Sequence, residues 1–211
     1  MDTLIEMIFA AAIALFAVTS IFFLLARRKD FNKAFLVSFI TIISYTLMLE
    51  GSTVSYGAEG GEVYATRWLF YGLSCGLLMY EIARLLGKSG PETAFLLFLT
   101  VIVMGTGAAA AYFDGWFKAG FFVISSAAYI VLVYPILAST SPNRNAVSKY
   151  ILLGWTGFPL AFLLAPEGFG FITASVAAIV YLLLDIFTKL IFYFDLSAKI
   201  SAVARPAKSG V

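Results

Sequence analysis

Apolar residues run along this chain in seven long blocks separated by short polar or turn-forming stretches. A helix that crosses a bilayer needs roughly 20 mostly apolar residues. The blocks at approximately 3–26, 33–50, 63–86, 92–112, 116–138, 147–165 and 170–197 have that character. Gly87, Gly90 and Pro91 follow the third block, Asp114 and Gly115 the fourth, Ser141 and Pro142 the fifth, and Pro166 and Gly168 the sixth. These are turn-forming residues, and the short breaks predict antiparallel neighbouring helices. The pattern predicts an all-α membrane protein, a seven-transmembrane helix bundle that forms one domain over 1–211 with a short tail from about 198. The first block lacks a basic leader and a small-residue cleavage site, so a permanent span is expected there rather than a signal peptide.

Composition points the same way. The chain has 211 residues, of which 62% are hydrophobic and 12% charged, and a mean hydropathy of +0.96. A soluble domain of this length could not cover so much apolar surface. The net charge of +2 comes without a concentrated basic patch, which excludes nucleic acid as the expected partner. One cysteine and no histidine exclude a disulfide framework and a histidine-based metal site.

Lysine and arginine placement predicts the orientation. Arg27, Arg28, Lys29 and Lys33 follow the first span. Arg84 and Lys88 flank the break after the third, Arg144 and Lys149 the break after the fifth, and Lys199, Arg205 and Lys208 lie in the tail. The other side offers Lys118 against Asp2, Glu6, Glu50, Glu59, Glu62, Asp114 and Glu167. The N-terminus is therefore expected outside and the C-terminus in the cytoplasm, so odd-numbered spans run inward.

Away from the span ends, four charges are left inside spans: Arg67, Glu81, Asp185 and Lys189. Ionisable residues within a membrane are rare and face the bundle interior. For Arg67 and Glu81 a bland reading, snorkelling to opposite interfaces, is as good as a functional one. It fails for YLLLDIFTKLIFYF, where Asp185 and Lys189 lie well inside an apolar helix. Four residues apart, they share one helical face. An ion pair within the helix would explain them structurally. A buried amine also suits ion handling or covalent Schiff-base chemistry with a carbonyl, with Asp185 as the neighbouring anion. On the third span Arg67, Phe70, Tyr71, Ser74, Leu77, Leu78 and Glu81 share a face. Helical rise puts Glu81 roughly 20 Å from Arg67 along the axis.

Seven spans with LDIFTK on the last one resemble the microbial (type 1) rhodopsins, and the likeness covers most of the chain. It implies all-trans retinal held as a Schiff base on Lys189, Asp185 as its counterion, and Arg67 as the arginine of the third helix. WTGFPLAF resembles the retinal-pocket pattern and assigns Trp155, Phe158, Pro159 and Phe162. GTG at 105–107 and FFVISSAAY at 121–129 resemble pocket walls and add Gly107, Phe122, Ser125 and Tyr129. Tyr45 matches a tyrosine that hydrogen-bonds the seventh-helix aspartate, and Tyr71 is expected at the cofactor. Each aromatic alone would more often be plain packing.

Outward proton pumps of this family carry an aspartate, a threonine and a second aspartate where this chain has Phe70, Ser74 and Glu81. That triplet, with Cys75 and Gly76, resembles the schizorhodopsins, light-driven inward proton pumps. Cys75 alone would read as a small core residue. A phenyl ring cannot accept a proton, so Phe70 removes the outward acceptor, and Glu81 offers a carboxylate on the cytoplasmic half. Arg67 is expected to pair with Asp185 or with water. The expected function is therefore a transporter rather than an enzyme, a light-driven inward proton pump in a microbial plasma membrane. Its partners are retinal, protons and lipid, and the resemblance implies a homotrimer. Three other readings stay open: a photosensor acting through a separate partner, a light-driven anion pump for which Ser74 would be the only nearby hydroxyl, and a transporter without retinal.

Overall fold

In the computed structural model residues 2–26, 31–51, 54–56 and 62–204 are described. Arg27, Arg28, Lys29, Glu59, Arg205 and Lys208, used above for orientation, lie outside the described residues. Seven long helices follow one another: α1 (Thr3–Leu25), α2 (Asn32–Leu49), α3 (Ala65–Leu85), α4 (Gly90–Tyr112), α5 (Gly115–Leu137), α6 and α7. Two of them are composite. α6 joins Arg144–Lys149 and Gly157–Leu164 through a π-helical stretch, Tyr150–Trp155. α7 joins Ala174–Asp185 and Phe192–Ala204 through another, Ile186–Ile191.

Local chemistry sets the helix ends. α3 stops at a Schellman turn in which Lys88 N–H donates to the Ala83 carbonyl (2.9 Å) and Gly87 N–H to that of Arg84 (3.1 Å). Gly87 has φ +70°, a conformation glycine adopts without a Cβ penalty. α4 starts directly afterwards on a capping box. Ser89 N–H donates to Glu92 Oε2 at 2.9 Å, and the Ser89 side chain accepts from the Glu92 N–H. Gly90 and Pro91, expected in the break, thus belong to the first turn of α4, where proline costs no helix bond.

Six of the helices are long and apolar enough to cross a membrane, and α3 is not among them, since Arg67, Glu81 and Arg84 lie within it. The seven-helix reading holds because α3 packs between α2 and α4. Its predicted start is corrected: Val63 and Tyr64 lie in a strand, Glu62–Tyr64, paired antiparallel with Val54–Tyr56. The runs VSY and EVY alternate over only three residues each, too few to stand apart from the apolar helix that follows. The Ser55 hydroxyl donates to the Tyr112 hydroxyl at 2.8 Å, fastening this hairpin to the end of α4.

Consecutive helices pack side by side, and α7 returns to α1, α2 and α3. The core is apolar as in a soluble protein, but the sides of the bundle are apolar too and charges lie inside. Val18, Ile21, Ile130 and Leu183 are exposed on its sides, while Ser38, Thr41, Ser74, Glu81, Asp185 and Lys189 are buried. That suits a hydrocarbon solvent, where the polar groups must find their partners inside.

Candidate functional site

Lys189 and Asp185 meet in the middle of the bundle. Lys189 Nζ is 2.7 Å from Asp185 Oδ1, and the side chains are 1% and 0% exposed. The contact is an ion pair by distance but lacks hydrogen-bond alignment, which leaves Lys189 Nζ and Asp185 Oδ1 without a hydrogen-bond partner. The second carboxylate oxygen is better served. Tyr45 on α2 and Tyr71 on α3 donate to Oδ2 at 2.9 and 2.8 Å. Lys189 lies inside the π-helical stretch of α7, where the Phe192 N–H bonds back to Phe187. Such wide turns concentrate at functional sites because they re-aim side chains.

Tyr71 links this pair to a cavity of about 100 Å³. Its ring lines the cavity, and Lys189 Nζ stands 4.2 Å from the ring centroid. The cavity wall brings together Arg67, Tyr71, Cys75, Gly107, Phe122, Ser125, Tyr129, Trp155, Phe158, Pro159 and Phe162, from four different blocks of the sequence. The rings brace one another: Tyr71 meets Phe158 edge-on at 5.4 Å, and Phe122 stacks on Phe162 at 5.8 Å. A Cβ on Gly107 would stand 2.8 Å from the Trp68 ring, so a larger residue would push Trp68 into the cavity. The polar members are anchored outward. Ser125 donates to the Val103 carbonyl at 2.9 Å, and Tyr129 to the Ile151 carbonyl at 3.1 Å.

Other expected residues stand apart from the cavity. Ser74 is fully buried and donates to the Tyr71 carbonyl at 3.4 Å. Phe70 is half-buried at the edge of the inner face of α3. Glu81, 2% exposed, is at the far end of α3 and ion-paired with Lys33 of α2 and, at 3.4 Å, with Arg84.

The expected pairing of Arg67 with Asp185 is corrected. Its guanidinium binds Glu167 at 3.2 Å and lies 4.3 Å from the Tyr181 ring centroid. Asp185 has two tyrosine hydroxyls and Lys189 about it, and Glu167 supplies the nearer anion for Arg67. Sequence reasoning placed Glu167 among the loop charges only. Tyr181, a further cavity residue, carried a usable signal: it lies one helical turn before Asp185 and shares its face.

Residues 2–200 match the family described as bacteriorhodopsin-like protein. The chain belongs to the bacteriorhodopsin-like family. Among solved structures, that of schizorhodopsin 4 is 33% identical, with a TM-score of 0.85 over 95% of this chain and 99% of that one. Sensory rhodopsin-2 of Natronomonas pharaonis is 28% identical over 189 residues, 83% of this chain and 79% of the relative. Halorhodopsin of Halorubrum sodomense is 26% identical over 184 residues, 78% of this chain and 65% of the relative. The chain is a multi-pass membrane protein of a family of light-driven transporters and sensors whose chromophore is retinal, carried on a lysine. The residues here fit that group. The buried Lys189 amine has no hydrogen-bond partner, the adjoining cavity is walled by aromatic rings, and Gly107 keeps that cavity clear.

Proposed function

We propose that this bacteriorhodopsin-like protein is a light-driven inward proton pump. Lys189 would hold the retinal, with Tyr71, Trp155, Phe158, Pro159 and Phe162 about it and Phe122, Ser125, Tyr129 and Gly107 closing the far wall. When bound, retinal supplies light absorption and an isomerisation that changes which side its linkage faces. The remaining chemistry belongs to the chain. Asp185 balances the positive charge on the Lys189 nitrogen, and Tyr45 and Tyr71 hold that carboxylate in place. The observation that carries the direction is the placement of carboxylates. Among the described residues, Asp185 is the carboxylate in ion-pair contact with Lys189. The carboxylate on α3 is Glu81, ten positions beyond Tyr71 or about 15 Å by helical rise. Phe70 offers nothing to accept a proton on the other half of that helix.

A proton leaving Lys189 is thus drawn toward the end of the bundle where Glu81, Lys33 and Arg84 cluster. The lysine and arginine distribution assigns this end to the cytoplasm. Water must bridge the gap, since Glu81 does not touch Lys189. The decisive experiment is the light-induced pH change in a suspension of expressing cells supplied with retinal. Inward pumping makes the medium more alkaline, and a protonophore abolishes the signal. Acidification of the medium would refute the direction. The likeness to sensory rhodopsin-2 supports a second reading, a photosensor, which a slow photocycle without net transport would favour. The setting proposed is a microbial plasma membrane, with the chain as a homotrimer.

A further inference from the structure

A second cavity, of about 120 Å³, lies at the hairpin end of the bundle. Phe9 of α1, Tyr64 at the end of the hairpin, Arg67 in the first turn of α3, Glu167 in the α6–α7 connection and Ala178 of α7 contribute to its wall. Arg67 also lines the first cavity, so its side chain is the partition between the two. Its Nη1 is engaged by Glu167, but its Nε is buried without a hydrogen-bond partner. A charged donor left unsatisfied in a protein interior is strongly unfavourable, and although alanines and aromatic rings make up most of this wall, the Arg67 and Glu167 pair gives waters in a cavity of this size polar partners. One cation and one anion face it, so it is electrically balanced. That favours neutral water over a halide or a metal ion. On the far side of the partition Tyr181 and Tyr71 line the first cavity and lead to Asp185 and Lys189.

We propose that this chamber holds water and is the inlet through which a proton from the outer medium returns to Lys189, with Glu167 as the exchanging carboxylate. The proposal rests on the inward reading above. A proton from external water binds a Glu167 carboxylate oxygen, and the ion pair with Arg67 opens. Glu167 then gives a proton to chamber water, the chain of waters delivers one to the Lys189 nitrogen, and Glu167 pairs with Arg67 again. Only protons move, and water is the only other participant.

The test is flash spectroscopy on the full chain reconstituted with all-trans retinal, following recovery of the visible band. Glu167→Gln slows recovery by about 100-fold or more, on the scale of a lost acid–base group. Sodium formate, a small proton carrier, restores much of the rate. Ala178→Leu fills the chamber without touching a charge; it also slows recovery, and formate does not restore it. Unchanged recovery in both variants, with inward transport intact in the native pigment, overturns the inlet alone. Slowing in Glu167→Gln that formate leaves unrescued reduces Glu167 to a support for Arg67 and overturns its exchange role. A native pigment that acidifies the medium overturns the inlet together with the inward reading.

Discussion

At the scale of residues, Asp185 is tied to three helices at once: to Tyr45 on α2, Tyr71 on α3 and Lys189 on its own helix. Lys189→Ala is expected to abolish the visible band that all-trans retinal gives with the native chain, read by absorbance. It also strips a buried carboxylate of its ion pair, so a stability loss of about 3–5 kcal/mol follows, measured as a lowered unfolding midpoint. Glu81→Gln leaves the band in place because Glu81 is remote from the cavity. It should sharply reduce the light-induced pH change; normal transport in this variant would remove Glu81 from the path. The Asp185 and Lys189 pair was legible in sequence because a spacing of four fixes neighbours on any helix. The Arg67 and Glu167 pair was not, because its members are 100 positions apart and Glu167 sits in a connection whose course no periodicity predicts.

At the scale of elements, the start of α1 is held by one carboxylate. Asp2 accepts from the Leu4 N–H at 3.1 Å and from the Ser175 hydroxyl at 2.7 Å. The Ser175 bond, then the Leu4 bond, hold its carboxyl below the ordinary aspartate value. A lowered folded value means the contribution is present above the unfolded pKa of about 3.9 and is lost as pH falls through the folded one. Protection from hydrogen exchange in the first turn of α1, taken relative to the intrinsic exchange rate at each pH, should hold from neutral pH to about pH 4 and fall below it, and Asp2→Asn should flatten that dependence. Helix number and rough limits were legible because bilayer length is a strong constraint. The hairpin was missed because three-residue strands leave little alternation to count, and Gly90 and Pro91 were misplaced because the same residues that break a helix also begin one.

At the scale of the molecule, orientation carries a direct test. An epitope tag at the N-terminus should be labelled on intact cells, and one at the C-terminus only after permeabilisation. The reverse pattern would turn an inward path from Lys189 to Glu81 into an outward one. The family was legible in sequence because LDIFTK and WTGFPLAF stand at the right distance on successive spans. The two cavities were not, since each is assembled from side chains scattered over most of the chain.

The wide turns in α6 and α7 bear on how such a chain can change over time. A π-helical stretch stores one surplus residue within an otherwise α-helical path. Removing one of residues 186–188 would let α7 close into a regular helix and shorten the spacing of Asp185 and Lys189 from four residues to three. Removing one outside the π-helical stretch would leave that local geometry alone. Length variation in this helix is therefore expected to be purged within that one stretch, even where single substitutions are tolerated, because there the count of residues itself is the feature under selection.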